Sequence, residues 1–380
     1  MFLRLGTTAF GGPAAHIALV EDEIVRRRRW ITREKFLDLL GAVNLIPGPN
    51  STEMAIHIGY LRAGWAGLLV AGTCFIFPAM VIVTAIGWAY VRFGSLPQFA
   101  GLLYGIKPVV ITIVAQALWG LGHTAVKTRF LATVAVLTTA AGFFGVDELS
   151  LLLGAGMLAA LRGGLRRGGV WYLRPILILF TIVGGILALI HLASAVSVSA
   201  EVEFGLSPLF LYFLKVGSVL YGSGYVLLVF LQADLVNRWH WLTATQLLDA
   251  TAVGQVTPGP VFTTATFIGY LLGGLPGALL ATLGIFLPSF VFVALSGPLV
   301  PRLRESPIAA GFLDGVNVAS LALMAVVTWH LGRAAVVDFT TALVAVVSAI
   351  LLIRFRVNSV WLVVGGGIAG MLAHALCHAG

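Results

Sequence analysis

Charge is scarce in this sequence: 10% of its 380 residues are Asp, Glu, Lys or Arg, against 59% that are hydrophobic. A soluble domain of this length keeps a charged surface, so that scarcity excludes one and indicates a polytopic α-helical membrane protein. Cysteine is almost absent. Cys74 and Cys377 are the two present, and Cys74 stands inside an apolar run, so no disulfide framework is implied. There is no Walker A loop and no segment of soluble-ATPase size, which excludes an ATP-driven pump within the chain. The first residues lack a basic stretch followed by a small-residue cleavage site, so no removable signal peptide is expected. His374, Cys377 and His378 have metal-ligand types but no fourth ligand nearby, so neither a metal nor another cofactor is expected. The excess of 23 Lys and Arg over 15 Asp and Glu sits in short connectors. It reads as a topology signal rather than a nucleic-acid surface.

What the sequence has in quantity is glycine, 45 residues that suit close helix packing in lipid, and proline at telling places. Asn44-Leu45-Ile46-Pro47-Gly48-Pro49-Asn50-Ser51-Thr52-Glu53 lies in apolar surroundings, yet no continuous helix can pass through Pro-Gly-Pro. The break returns as Gln255-Val256-Thr257-Pro258-Gly259-Pro260-Val261-Phe262-Thr263-Thr264. Irregular backbone at membrane depth survives only against protein or a water-filled cavity. Matched broken segments in two halves are the sequence pointer to a transporter's binding site.

The halves match in register. An offset of 211 carries Arg4 to Lys215, Gly11 to Gly222, Asp38 to Asp249 and Pro47-Gly48-Pro49 to Pro258-Gly259-Pro260. After the loss of one residue, an offset of 210 carries Gly64 to Gly274, Pro78 to Pro288 and Gly105 to Gly315. The expected organisation is a first repeat over residues 1–162, a basic connector with a linker transmembrane helix over 163–207, and a second repeat over 208–380. The connector basic in one repeat (Arg26 to Lys35) is poor in the other (Arg238 alone), and the bias reverses downstream. That favours inverted repeats. Counting every apolar segment as one crossing conflicts with the charge rule at Arg162 to Arg174; re-entrant Gly-Gly-Pro and Pro-Gly-Pro segments remove the conflict. The fold class is therefore an all-α integral membrane protein of two repeats with Pro/Gly-broken helices, the number of spans left open. A kink is expected at Pro78.

Asn50, Ser51, Thr52 and Glu53 follow the first break and are N-cap types. A half-helix starting there aims free N–H groups and a positive dipole end into the break, which suits an anion. Thr257, Thr263 and Thr264 offer hydroxyls in the second break. The remaining expected lining is Gly11, Gly12, Asn44, Gly222 and Gln255, with the two Pro-Gly-Pro runs themselves. Arg4 and Lys215 are either charge-compensating cations or snorkelling side chains. Lys107 lies deeper, before Pro108, and an intramembrane lysine is a candidate binding charge. Glu53 and His57, at i,i+4, share a helix face as a proton-handling pair or as a capping carboxylate beside a hydrogen-bonded histidine. Asp38 and Asp249 are further candidates for proton transfer or for holding a half-helix end.

The runs Phe10-Gly11-Gly12-Pro13-Ala14-Ala15-His16-Ile17 and Asn44 to Glu53 closely resemble the chromate ion transporter family. So do Phe213-Leu214-Lys215-Val216-Gly217 and Gln255 to Pro260, and the resemblance covers nearly the whole chain. It implies a prokaryotic cytoplasmic-membrane protein that exports chromate and confers resistance, with sulfate as a competing analogue. Members usually carry a longer leader than the one residue before Phe2. The expected partners are a chromate or sulfate-like dianion and the lipid bilayer, with no nucleic acid; a homodimer is left open. The alternatives are a passive anion channel and a membrane-embedded enzyme, for which no acid/base constellation is found.

Overall fold

The computed structural model describes residues 1–9, 12–44, 46–94, 97–166, 203–221, 224–304, 307–355 and 357–378, and every element among them is helical. Gly11, Gly222 and most of the expected linker segment, with its Ile176 to Val198 helix, lie outside the described residues. The first half runs α1 (Phe2–Thr8), α2 (Gly12–Glu21), a π turn (Asp22–Arg27), α3 (Arg33–Val43), α4 (Asn50–Phe93), α5 (Pro97–Ala125), α6 (Arg129–Phe143) and α7 (Glu148–Arg166). The second begins with α8 (Leu206–Val219) and a stretch of 3-10, α and π turns from Gly224 to Arg238. It continues with α9 (Ala244–Val256), a 3-10 turn (Val261–Thr263), α10 (Thr264–Arg304), α11 (Pro307–Ala335), α12 (Phe339–Arg354) and α13 (Ser359–His378).

Local sequence sets the ends of these helices. Thr32 accepts the Lys35 N–H to open α3, and Thr243 with Gln246 forms a capping box that opens α9. Both helices stop before a Pro-Gly-Pro run, whose glycines, Gly48 (φ 136°) and Gly259 (φ 97°), take left-handed backbone.

α4 and α10 are each two helical arms joined by a reversal. The backbone leaves helical geometry at Ala63 and Gly64 (φ 57°, ψ −142°), and again at Gly273 and Gly274 (φ 60°, ψ −151°). That corner of backbone space belongs to glycine. Past the reversal the chain returns on itself. Gly59 lies against Gly67 and Ala71, and Gly269 against Gly277 and Ala281, so close that a Cβ at either glycine would meet backbone. Pro78 sits inside α4, but the non-helical residues are at this reversal and not at the expected proline kink.

Among the described residues, four helical segments are long and apolar enough to cross a membrane: Asn50–Phe93, Gly101–Ala125, Val261–Ser296 and Ile308–Ala335. Their outer faces show what surrounds them. On α10, Leu275, Leu279, Leu283, Leu287, Val291 and Leu295 recur every fourth residue and are all exposed. A leucine stripe of that length would be costly in water and costs nothing against lipid tails.

Helices from the two halves pack on each other. Gly72 of α4 meets the Phe290 ring of α10, and Gly87 meets Tyr270. Gly72 is near the α4 reversal and Phe290 far along α10's second arm, whereas Gly87 is far from the α4 reversal and Tyr270 just before that of α10, so the two reversals lie at opposite ends. α5 crosses α13 with Gly105 against Gly366 and Gly370. α7 crosses α11 with Ala159 against Gly311 and Ala155 against Gly315. The largest buried cluster holds residues of both halves, from Val83 and Val109 to Phe213, Phe267 and Met324.

Candidate functional site

The two broken segments meet through their backbones. The Gly48 N–H donates to the Leu220 carbonyl at 2.8 Å, and the Gly259 N–H donates to the Ala9 carbonyl at 2.9 Å. Ala9 and Leu220 each end a helix, α1 and α8, and both are fully buried. Each half thus supplies the acceptor for the other half's Pro-Gly-Pro glycine. This answers the buried-backbone accounting that the prolines, lacking N–H groups, would otherwise leave open.

A small cavity lies where these segments converge. His16, Asn50 and Ser51 line it from the first half, and Gly224, Val261 and Phe262 from the second. Its volume is ≈ 10 Å³, about the room for one water. In α4 the Thr52 and Glu53 N–H groups both donate to the Pro49 carbonyl, which leaves the N–H groups of Asn50 and Ser51 as first-turn donors. In the second half the Thr263 N–H donates to the Pro260 carbonyl, leaving those of Val261 and Phe262. Among the described residues these four amides have no backbone acceptor, and all four residues line the cavity. With the dipole of α4's first arm behind two of them, the arrangement suits a small anion.

The expected hydroxyls divide by half. Thr257 donates to the Val253 carbonyl, Thr263 to that of Pro260 and Thr264 to that of Val261, so all three have spent their protons on backbone. The Thr52 hydroxyl is buried with no hydrogen-bond partner among the described residues, and Ser51 lines the cavity. Asn50 donates from its amide to the Asn44 side chain at 2.7 Å, tying the two sides of the break. Gln255 is half-buried on the last turn of α9.

The expected cations are elsewhere. Arg4 is exposed on α1. Lys215 pairs with Asp234 at 3.1 Å. Lys107 pairs with Asp249 at 3.3 Å, joining α5 to α9, and Tyr90 donates its hydroxyl to the same carboxylate at 2.9 Å. Two candidates that the sequence assigned to separate tasks are therefore one buried pair. Asp38, the repeat match of Asp249, is exposed.

Glu53 and His57 do share a face of α4. His57 Nε2 lies 3.3 Å from the Ser296 hydroxyl. The Glu53 carboxyl is fully buried against Gly48 and Ser289, with neither oxygen in a well-formed hydrogen bond among the described residues. The capping alternative loses ground because the N-cap is Pro49, which has no N–H to receive it. At the connector outside the spans, Glu23 holds Arg28 at 2.8 Å, and that hydrogen bond keeps its carboxyl below the usual range. His16, like Val261 and Phe262, is a wall residue that the sequence motifs include but to which they assign no role.

The family described as Chromate transporter matches the chain twice, over residues 1–161 and 207–371. The chain belongs to the chromate transporter family. It is 34% identical to the chromate transport protein of Cupriavidus metallidurans over 99% of this chain and 92% of that protein. It is 31% identical to the probable chromate transport protein of Synechococcus elongatus, over 92% of this chain and 87% of that one. The chromate transport protein of Pseudomonas aeruginosa is 30% identical, over 98% and 90%. No solved structure matches. With its apolar helices, this makes the protein a multi-pass membrane transporter whose relatives are named for transport rather than for catalysis.

Proposed function

We propose that the protein is a secondary transporter that exports chromate, a tetrahedral dianion with sulfate as its analogue, across the cytoplasmic membrane and so gives chromate resistance. The observation that carries this reading is the reciprocal bonding of the two Pro-Gly-Pro breaks around a cavity walled by free amide donors. A dianion that leaves water must have its shell replaced by oriented donors, and fixed N–H groups do this at no reorganisation cost.

Depth is consistent with this. The first arm of α4 rises about 20 Å from Pro49 to its reversal, short of the roughly 30 Å hydrocarbon core. Two such arms entering from opposite ends would bring the breaks together near mid-membrane. The inverted-repeat reading rests on this, on the reversals of α4 and α10 at opposite ends, and on the opposed loop charges. The re-entrant expectation for the Pro-Gly-Pro segments rests on the same arms. Matched broken segments in two halves are a feature of carriers, which favours a carrier over a pore. An interior-negative potential favours dianion exit by about 2.3 kcal/mol per charge per 100 mV.

Everted membrane vesicles test the reading. Chromate uptake should saturate, be competed by sulfate and show counterflow when the lumen is preloaded. Flux that rises linearly with chromate and shows no counterflow would make the protein a channel.

A further inference from the structure

We propose that His16 is a substrate-contacting residue: its imidazole donates a hydrogen bond from Nδ1 to the bound oxyanion. This rests on the reading of the break cavity as the anion site. It adds the one side chain on the named wall that can also carry a positive charge.

His16 lies on α2, just after the first Gly-Gly-Pro, and is 2% exposed. Its Nδ1 is buried and makes no well-formed hydrogen bond among the described residues, although the Ala9 backbone lies close enough to the ring to interact with it. The ring stands edge-on to Phe75, with centroids 6.3 Å apart, which holds its orientation. It shares the cavity wall with Asn50 and Ser51, the first two residues of α4.

A buried, unpartnered ring nitrogen is costly unless something binds there. The composition of the wall says what. His16, Pro49, Asn50, Ser51, Gly224, Val261 and Phe262 include no acidic group to repel an anion and no Lys or Arg to neutralise one. The cations that sequence reasoning put forward are exposed or already paired, so backbone amides meet the dianion's shape while its charge lacks a partner. An imidazole is the group here able to arrive neutral and hold a proton once a dianion is beside it. The chemical class that fits is a small tetrahedral dianion, not a neutral solute or a cation.

The test uses two amide replacements that differ in where they put the N–H. His16→Asn places it near the position of Nδ1, and His16→Gln near that of Nε2. In everted vesicles, with protein level checked in the membrane, His16→Ala should raise the KM for chromate about tenfold or more, the cost of one hydrogen bond to a charged group. His16→Asn should stay within about threefold of the parent, and His16→Gln should behave like alanine. Sulfate-induced thermal stabilisation of the purified protein in detergent should follow the same order. A residue that merely packs the cavity would tolerate or fail both amides alike, and that result overturns the proposal, as does an unchanged KM in His16→Ala.

Ser51→Ala serves as the arm for the site itself. If it weakens sulfate stabilisation while the His16 series does not, the cavity is the site and His16 is not a ligand. If neither series moves KM or stabilisation, the cavity reading has failed first.

Discussion

Lys107, Asp249 and Tyr90 carry the clearest consequence at the scale of single residues. Asp249 has a side-chain exposure of 2% and Lys107 of 16%, and each comes from a different half. Burying two charges is costly, and removing one partner leaves the other uncompensated, typically by about 3–5 kcal/mol. Lys107→Gln alone should therefore lower the melting temperature of the detergent-solubilised protein sharply. Lys107→Gln with Asp249→Asn should recover most of the loss, because the double variant removes both charges and can leave an amide pair. Chromate transport should recover with it if the pair is structural. A double variant that is stable but inactive would assign one of the charges to coupling. The sequence put both residues on the candidate list because intramembrane charges are rare. It could not show that they touch, since they come from different elements, and no local spacing encodes such a contact. The Glu53–His57 spacing was legible because it is a property of one helix, whereas their hydroxyl neighbours Ser289 and Ser296 come from the other half.

At the scale of elements, the breaks were legible and the reversals only in part. Pro-Gly-Pro announces itself because two prolines remove donors from consecutive turns. The sequence also divides its apolar segments near Tyr60 and Gly64, where α4 reverses. But a Gly64 that reverses the chain reads no differently from the many glycines packed inside helices, such as Gly105 or Gly156. The backbone settles the distinction: Gly64 and Gly274 sit at φ near +60° with ψ near −145°. Alanine there should cost about 1–3 kcal/mol each. Gly120 and Gly122, helical and with open space where a Cβ would go, serve as controls. Alanine at those two should be neutral or slightly stabilising, up to about 1 kcal/mol each. Thermal melts of the four single variants in one detergent make the comparison. Equal effects at all four positions would mean that the reversals are not fixed by glycine backbone.

At the scale of the whole molecule, loop charge and packing each give a testable expectation for the proposed inversion of the halves. Arg62, beside the α4 reversal, stacks over Trp30 at 5.3 Å, and Arg28 lies over the same ring at 5.5 Å. The basic connector is therefore at the end of the molecule where α4 reverses. In the second half Trp241 meets Phe204 edge-on at 5.4 Å, and Phe204 lies against Gly273 at the α10 reversal. The connector that holds Arg238 is thus at the α10 end. Because Gly72 meets Phe290 and Gly87 meets Tyr270, those two ends are opposite. Arg28 and Arg238, one residue from equivalence under the offset of 211, should then face opposite sides of the membrane. The cluster from Arg26 to Lys35 assigns Arg28 to the cytoplasm under the positive-inside rule. Arg28→Cys and Arg238→Cys, each introduced singly into a background lacking Cys74 and Cys377, test this with a membrane-impermeant thiol reagent. In intact cells Arg238→Cys should label and Arg28→Cys should not, and everted vesicles should give the reverse. Labelling of both from one side would mean that the two connectors share a face, and a single site opening alternately through inverted halves would have no structural basis.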